Sequence, residues 1–147
     1  MSIVEDPEYK RLYNTVMHIY NVSLKNNKGY ENVKNLIQNI VDYFEFIIEY
    51  FLNKFLEEKK IEEIPEESMK KYKLFLEKIE NPKIVEILSN YPKLKKYSKS
   101  EIIISNEFRK NMLIKFRSLN YEETVDIKFF KSIIENIRSL NEELKNI

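Results

Sequence analysis

The chain has no cysteine, no alanine and no tryptophan, one glycine (Gly29) and one histidine (His18) in 147 residues. Without cysteine there is no disulfide, no thiolate metal ligand and no cysteine nucleophile, a composition that suits a reducing interior. With a single histidine as well, a zinc site would need three or four carboxylates, a set that zinc rarely takes, so neither a metal nor a cofactor is expected. One glycine cannot build a dinucleotide fingerprint or a P-loop, which excludes nucleotide enzymes of those classes. The first ten residues, MSIVEDPEYK, lack a basic segment followed by an apolar core. No secretory signal is read there, and a cytoplasmic location is expected.

What is present belongs to a globular protein: 43% hydrophobic residues, 33% charged residues, ten tyrosines and nine phenylalanines. That aromatic content argues against disorder. The length fits one domain, residues 1–147, able to bury roughly two-thirds of its unfolded surface.

Residues 33–59 dominate the pattern. Val33, Ile37, Ile40, Phe44, Ile47, Phe51 and Phe55 recur every three or four residues, and Leu36, Val41, Tyr43, Phe46, Ile48, Tyr50, Leu52 and Leu56 widen that face almost all the way round. Asp42, Glu45, Glu49 and Asn53 form the one polar strip. A helix apolar on nearly every side lies in a core or a membrane. Its charges make a membrane span of about 20 apolar residues a poor fit, so a central core helix is expected, with the acidic strip facing water or a basic partner such as the 92–117 region of a second copy.

Other helices flank it. Asp6-Pro7 is a helix start, with Tyr9, Leu12, Tyr13, Val16, Met17, Tyr20 and Leu24 inward, and Gly29 is expected to end that helix in the left-handed conformation. After a charged connector, Pro65 suits the first turn of a third helix carrying Met69, Tyr72, Phe75, Leu76 and Ile79. Asn81-Pro82 opens a short helix that Tyr91 and Pro92 break. Ser98 to Glu101 has capping-box spacing, so a fifth helix is expected to about Leu119 through Ile104, Phe108, Met112 and Phe116, although Ile102 to Ile104 could instead pair as a short strand. Residues 120–124 read as a loop, and Asp126 as the cap of the last helix. There Phe130, Ile133, Ile137, Leu140 and Leu144 make a narrow seam of the kind that pairs helices, and they are the candidate interface. The fold class so predicted is all-α: an antiparallel bundle of five or six helices around one long central helix.

Nothing in the sequence looks catalytic. His18 has no acid close in sequence and reads as a half-exposed structural residue. The pairs Glu57/Glu58, Glu62/Glu63 and Glu66/Glu67 lie among lysines and read as solvated charge. Charge is nevertheless polarised: residues 45–68 hold eight acids and three lysines, whereas residues 92–117 hold eight basic residues and two acids. Lys93, Lys95, Lys96, Lys99, Arg109, Lys110, Lys115 and Arg117, with Tyr97, Phe108 and Phe116 among them, are candidate nucleic-acid contacts.

Residues 108–147, FRKNMLIKFRSLNYEETVDIKFFKSIIENIRSLNEELKNI, pair an Arg and a nearby Asn with an apolar pair, a short acidic loop containing Asp126 and an amphipathic final helix. In this they resemble the end of a HEPN domain, a family of small helical bundles of prokaryotic toxin and nucleotidyltransferase-partner systems, whose central helix is similar in placement to the one from Val33. HEPN ribonucleases rely on an Arg followed four to six residues later by His, with a polar residue directly after the Arg. Here Lys110 follows Arg109, Asn111 stands one place late, and Lys115 occupies a position where that His could fall. The resemblance therefore implies the bundle and its tendency to dimerise, with the ribonuclease activity lost.

The expectation is a non-catalytic helical module that packs against itself or another protein, without membrane or metal. The alternative is a nucleic-acid-binding subunit of an RNA or DNA complex using the basic region. A second alternative is a degenerate HEPN-type ribonuclease or antitoxin-system protein.

Overall fold

The computed structural model describes residues 2–106 and 111–147. A 3-10 turn (Ile3–Glu5) leads into α1 (Pro7–His18), which continues through a π-helical turn (Ile19–Ser23) into α2 (Leu24–Asn26). Then follow α3 (Tyr30–Glu57), α4 (Ser68–Lys78), α5 (Pro82–Leu88), α6 (Tyr91–Ser98), strands β1 (Glu101–Ser105), β2 (Leu113–Ser118) and β3 (Tyr121–Asp126), and α7 (Ile127–Lys145).

The long helix is where its periodicity puts it. Val33, Leu36, Ile37, Ile40, Val41, Tyr43, Ile47 and Leu52 are fully buried, and α1, α4, α6 and β1 all pack on α3. Each large apolar side chain so covered contributes about 1.5–3 kcal/mol by transfer from water. The hydroxyls of Tyr9 (α1) and Tyr43 (α3) lie 2.8 Å apart, and Tyr9 donates to Asn141 Oδ1 (α7) at 2.7 Å, so one buried chain of hydrogen bonds ties three helices. Burial raises both phenols, Tyr9 to about 12, which keeps them neutral donors.

Three helix starts follow the sequence signals. Asp6 accepts from the Glu8 amide, Asn81 from the amides of Lys83 and Ile84, and Asp126 from that of Phe129. Pro65 does not start α4, which begins three residues later at Ser68. Tyr91 and Pro92 do not break α5, which has already ended at Leu88; they form the first turn of α6, a helix that the sequence reading omitted.

Gly29 is a correction. Its φ is −74°, extended rather than left-handed, and the α2–α3 link is held instead by Asn27 Oδ1 accepting from the Gly29 amide and by the Asn32 amide donating to the carbonyls of Ser23 and Asn27. The left-handed helix end belongs to Lys59, with φ 60°, where the Lys60 amide reaches back to the Phe55 carbonyl and the Lys59 amide to that of Leu56.

The all-α class is overturned by residues 101–126, which form a three-stranded antiparallel sheet in the order β1-β2-β3. Ile102, Phe116 and Glu123 share one register row, and Ile104, Ile114 and Val125 another, on the face toward the helices. The expected fifth helix rested on residues four apart, but four is also twice the strand period, so Ile104, Met112 and Phe116 fit either structure. Branched side chains at Ile102, Ile103 and Ile104 tip the balance toward strand; Phe108 lies outside the described residues. The supposed capping box ends a helix instead: Ser98 and Ser100 hydroxyls donate to the α6 carbonyls of Lys95 and Lys96. Residues 121–124, part of the stretch 120–124 read as a loop, pair instead in β3, which runs on to the helix cap Asp126.

A non-glycine residue in the left-handed region costs about 1 kcal/mol. Lys59→Gly is therefore expected to raise the urea midpoint, by up to about 1 kcal/mol of unfolding free energy. An unchanged or lower midpoint would show that the Lys59 side chain offsets its backbone strain.

Candidate interaction surface

The surface that holds most of the sequence-predicted basic residues is built by α6 and the sheet. Tyr91, Leu94 and Tyr97 recur every three residues along α6 and are buried, while the lysines between them point outward. The ring of Tyr97 stacks on Phe116 of β2 at 3.9 Å between centroids and 8° between planes, fastening the sheet to the helical body. Phe129 closes the same seam edge-on to Tyr97 at 5.9 Å, with Lys93 Nζ 6.0 Å above its own ring.

Glu123 is the one acid on the helix-facing side of β3. It accepts from the Tyr97 hydroxyl at 2.5 Å and lies 3.5 Å from Lys96 Nζ. Lys96 also sits 3.9 Å from the ring centroid of Tyr121, whose hydroxyl donates to the Lys96 carbonyl and hydrogen-bonds Ser100. The Tyr97 hydrogen bond, then Lys96, holds the Glu123 carboxyl below its ordinary value despite some desolvation, and burial pushes the Tyr97 phenol up. The proton thus stays on tyrosine and the charge on glutamate.

The other cations are answered in the same way. Lys95 Nζ lies 2.8 Å from Glu45 of α3, which also accepts from Tyr91 at 2.5 Å, and Lys71 of α4 lies 2.8 Å from Glu49. The acidic strip of the long helix therefore meets lysines of its own chain; a second copy is not needed to neutralise it. On the outer face of the sheet Arg117 pairs with Glu101 at 3.0 Å and Lys115 with Glu122 at 3.7 Å. The charge excess read over residues 92–117 stops just short of Glu122, Glu123 and Asp126, which the hairpin folds back beside it. Lys99 is exposed after α6; Arg109 and Lys110 lie outside the described residues. Four of the six described members of this set, Lys95, Lys96, Lys115 and Arg117, thus lie within 4 Å of a carboxylate.

The candidate seam of the last helix is placed elsewhere. Phe130, Ile133, Ile137, Leu140 and Leu144 are 0–2% exposed inside the chain's own core. The stretch that the HEPN resemblance reads as a penultimate helix runs from Leu113 as β2. His18 is exposed at the last turn of α1. Among the described residues no three His, Cys, Asp or Glu side chains gather as a metal site, and no helix is long and apolar enough to cross a membrane. An open hollow of about 580 Å³ lies between Ser2, Tyr50, Asn53, Lys54, Glu57 and Ile147.

What the sequence reading missed is apolar and on the sheet. On the outer face Ile103 stands in a row with Lys115 and Thr124, and Leu113 is 42% exposed in the next. Leu119, at the β2–β3 turn, is fully exposed. The available signal was the Ile102-Ile103-Ile104 run, in which a strand must turn one isoleucine away from the core. Comparison with protein-family models, curated proteins and solved structures returns no match for this chain.

The Tyr97–Glu123 contact has a pH signature. A carboxyl held below its unfolded value lends stability that is present above that value, 4.5, and is lost as pH falls through the folded one. The urea midpoint of Tyr97→Phe is expected to lie below that of the parent at pH 7, with the gap narrowing as pH falls below 4.5 and through the lowered folded value. A gap constant from pH 7 to pH 3 would mean that the hydrogen bond contributes nothing through the charge of Glu123.

Proposed function

We propose that this chain is a non-catalytic protein–protein interaction module, self-associating or a small subunit of a larger complex, and that its contact surface is the sheet rather than a helix. The observation that carries the reading is a set of apolar side chains, Ile103, Leu113 and Leu119, left on and beside an outer sheet face whose charges pair with one another. A half-buried isoleucine on an edge strand, with exposed leucines on the same sheet, supplies the two ingredients of strand-addition recognition: main-chain hydrogen bonds for affinity and side-chain contacts for specificity. Ion pairs of this exposure are worth about 0–1 kcal/mol each, so their main effect is to cancel charge around the strip and leave apolar contact as the attraction on offer.

The test is the size of the native assembly. A tagged chain, expressed at its natural level and released gently, is expected to migrate well above its 17.9 kDa mass. Ile103→Lys, Leu113→Lys and Leu119→Lys together should return it to the monomer position while leaving the circular dichroism unchanged. A parent chain that runs as a monomer, or a native assembly indifferent to the three charges, would overturn the reading.

A further inference from the structure

The sheet has two edges, and they differ in chemistry. β3 carries Glu122, Glu123 and Asp126, charges of the kind that keep an edge from pairing with another chain. β1 is Glu-Ile-Ile-Ile-Ser, with no lysine, no proline and no bulge over five consecutive pairs with β2. Among the described residues its backbone hydrogen bonds run to β2 alone, so the other side of the strand presents unpaired amides and carbonyls.

We propose that β1 pairs antiparallel with β1 of a second copy about a two-fold axis at Ile103, joining two three-stranded sheets into one of six strands. The inference rests on the interaction reading above and names its partner. Its basis is that the five residues complement themselves in this register. Ile103 faces its own counterpart on the outer side, Ile102 faces Ile104 on the helix side, and Glu101 faces Ser105. Side chains directly opposite in an antiparallel pair point the same way, so both apolar rows stay on their own faces. A parallel pairing in the same register would bring the two Glu101 carboxylates together. The antiparallel one separates them by four residues, about 14 Å, beyond the screening length of about 8 Å at physiological ionic strength. Each Glu101 also keeps its own Arg117 at 3.0 Å. An isologous contact of this kind closes at two copies and does not propagate.

The lack of cysteine makes the register directly readable. Opposed residues of an antiparallel pair have Cα atoms about 4.5–5.5 Å apart, within the reach of a disulfide. On mild oxidation Ile103→Cys is expected to give predominantly covalent dimer. Glu101→Cys alone and Ser105→Cys alone should give no more than His18→Cys, an exposed control on α1, while their equimolar mixture yields the mixed dimer. Light scattering of the unmodified chain should approach twice 17.9 kDa as concentration rises, and Ile103→Lys should hold it at the monomer, with a urea midpoint that matches the parent's at concentrations where the parent is dissociated. Cross-linking of Ile103→Cys no greater than the control, or self-cross-linking of Glu101→Cys, would overturn the proposal. A purified monomer whose native assembly is still lost with Ile103→Lys, Leu113→Lys and Leu119→Lys together overturns self-pairing alone and leaves the interaction reading with another partner; a monomer in both settings overturns both.

Discussion

Covering α3 is the constraint on which the rest of the structure depends. A 28-residue helix apolar on nearly every side cannot be left to water, and burying each of its large side chains is worth about 1.5–3 kcal/mol. α1, α4, α6 and the sheet supply the cover, and the tyrosine pair between α1 and α3, with Asn141, fixes the docking through buried hydrogen bonds. The narrow acidic strip decides where α4 and α6 can lie, because Glu45 and Glu49 need lysines within reach and find Lys95 and Lys71. Charge that looks like a surface for outside partners is thus partly a guide for the chain's own helices.

The sheet then acts as a cover of a different kind. Its inner face closes on the body through Phe116, stacked on Tyr97, and through Ile102 and Ile114. An open three-stranded sheet has two edges and an outer face, which a further helix would not have exposed. Acids blunt β3 and ion pairs quiet the outer face, so the apolar remainder gathers at β1 and the β2–β3 turn. The proposed interaction surface is thus a consequence of how the last part of the α3 surface is covered.

Much of this is legible in the sequence where a single period or a single cap decides the outcome. The long helix, its buried face, and the caps at Asp6, Asn81 and Asp126 all follow from local rules. The misreadings have equally local causes. Hydrophobic residues four apart satisfy both a helix and a strand, so Ile104, Met112 and Phe116 could not separate the two. Glycine is the usual left-handed residue, yet here Lys59 takes that conformation and Gly29 does not. Charge was summed along the chain, whereas a hairpin brings Glu122 and Glu123 beside Lys115 and Lys96. The seam of α7 reads as an interface in the sequence and is buried in the chain's own core for an equally plain reason: amphipathicity says that a face will be covered, and only tertiary packing says by what.

The central claim is that the core around α3 closes within one chain while the edge of β1 is left for a partner. Residue-resolved amide hydrogen exchange over a range of protein concentrations addresses it most directly. The interior amides of α3 and the outward amides of β3 are expected to exchange at rates independent of concentration, the former slowly and the latter fast. The outward amides of β1, between Glu101 and Ser105, are expected to be fast in dilute solution and progressively protected as concentration rises. Protection of β1 that is unchanged on dilution, or concentration-dependent protection appearing on β3 or α7 instead, would contradict the account.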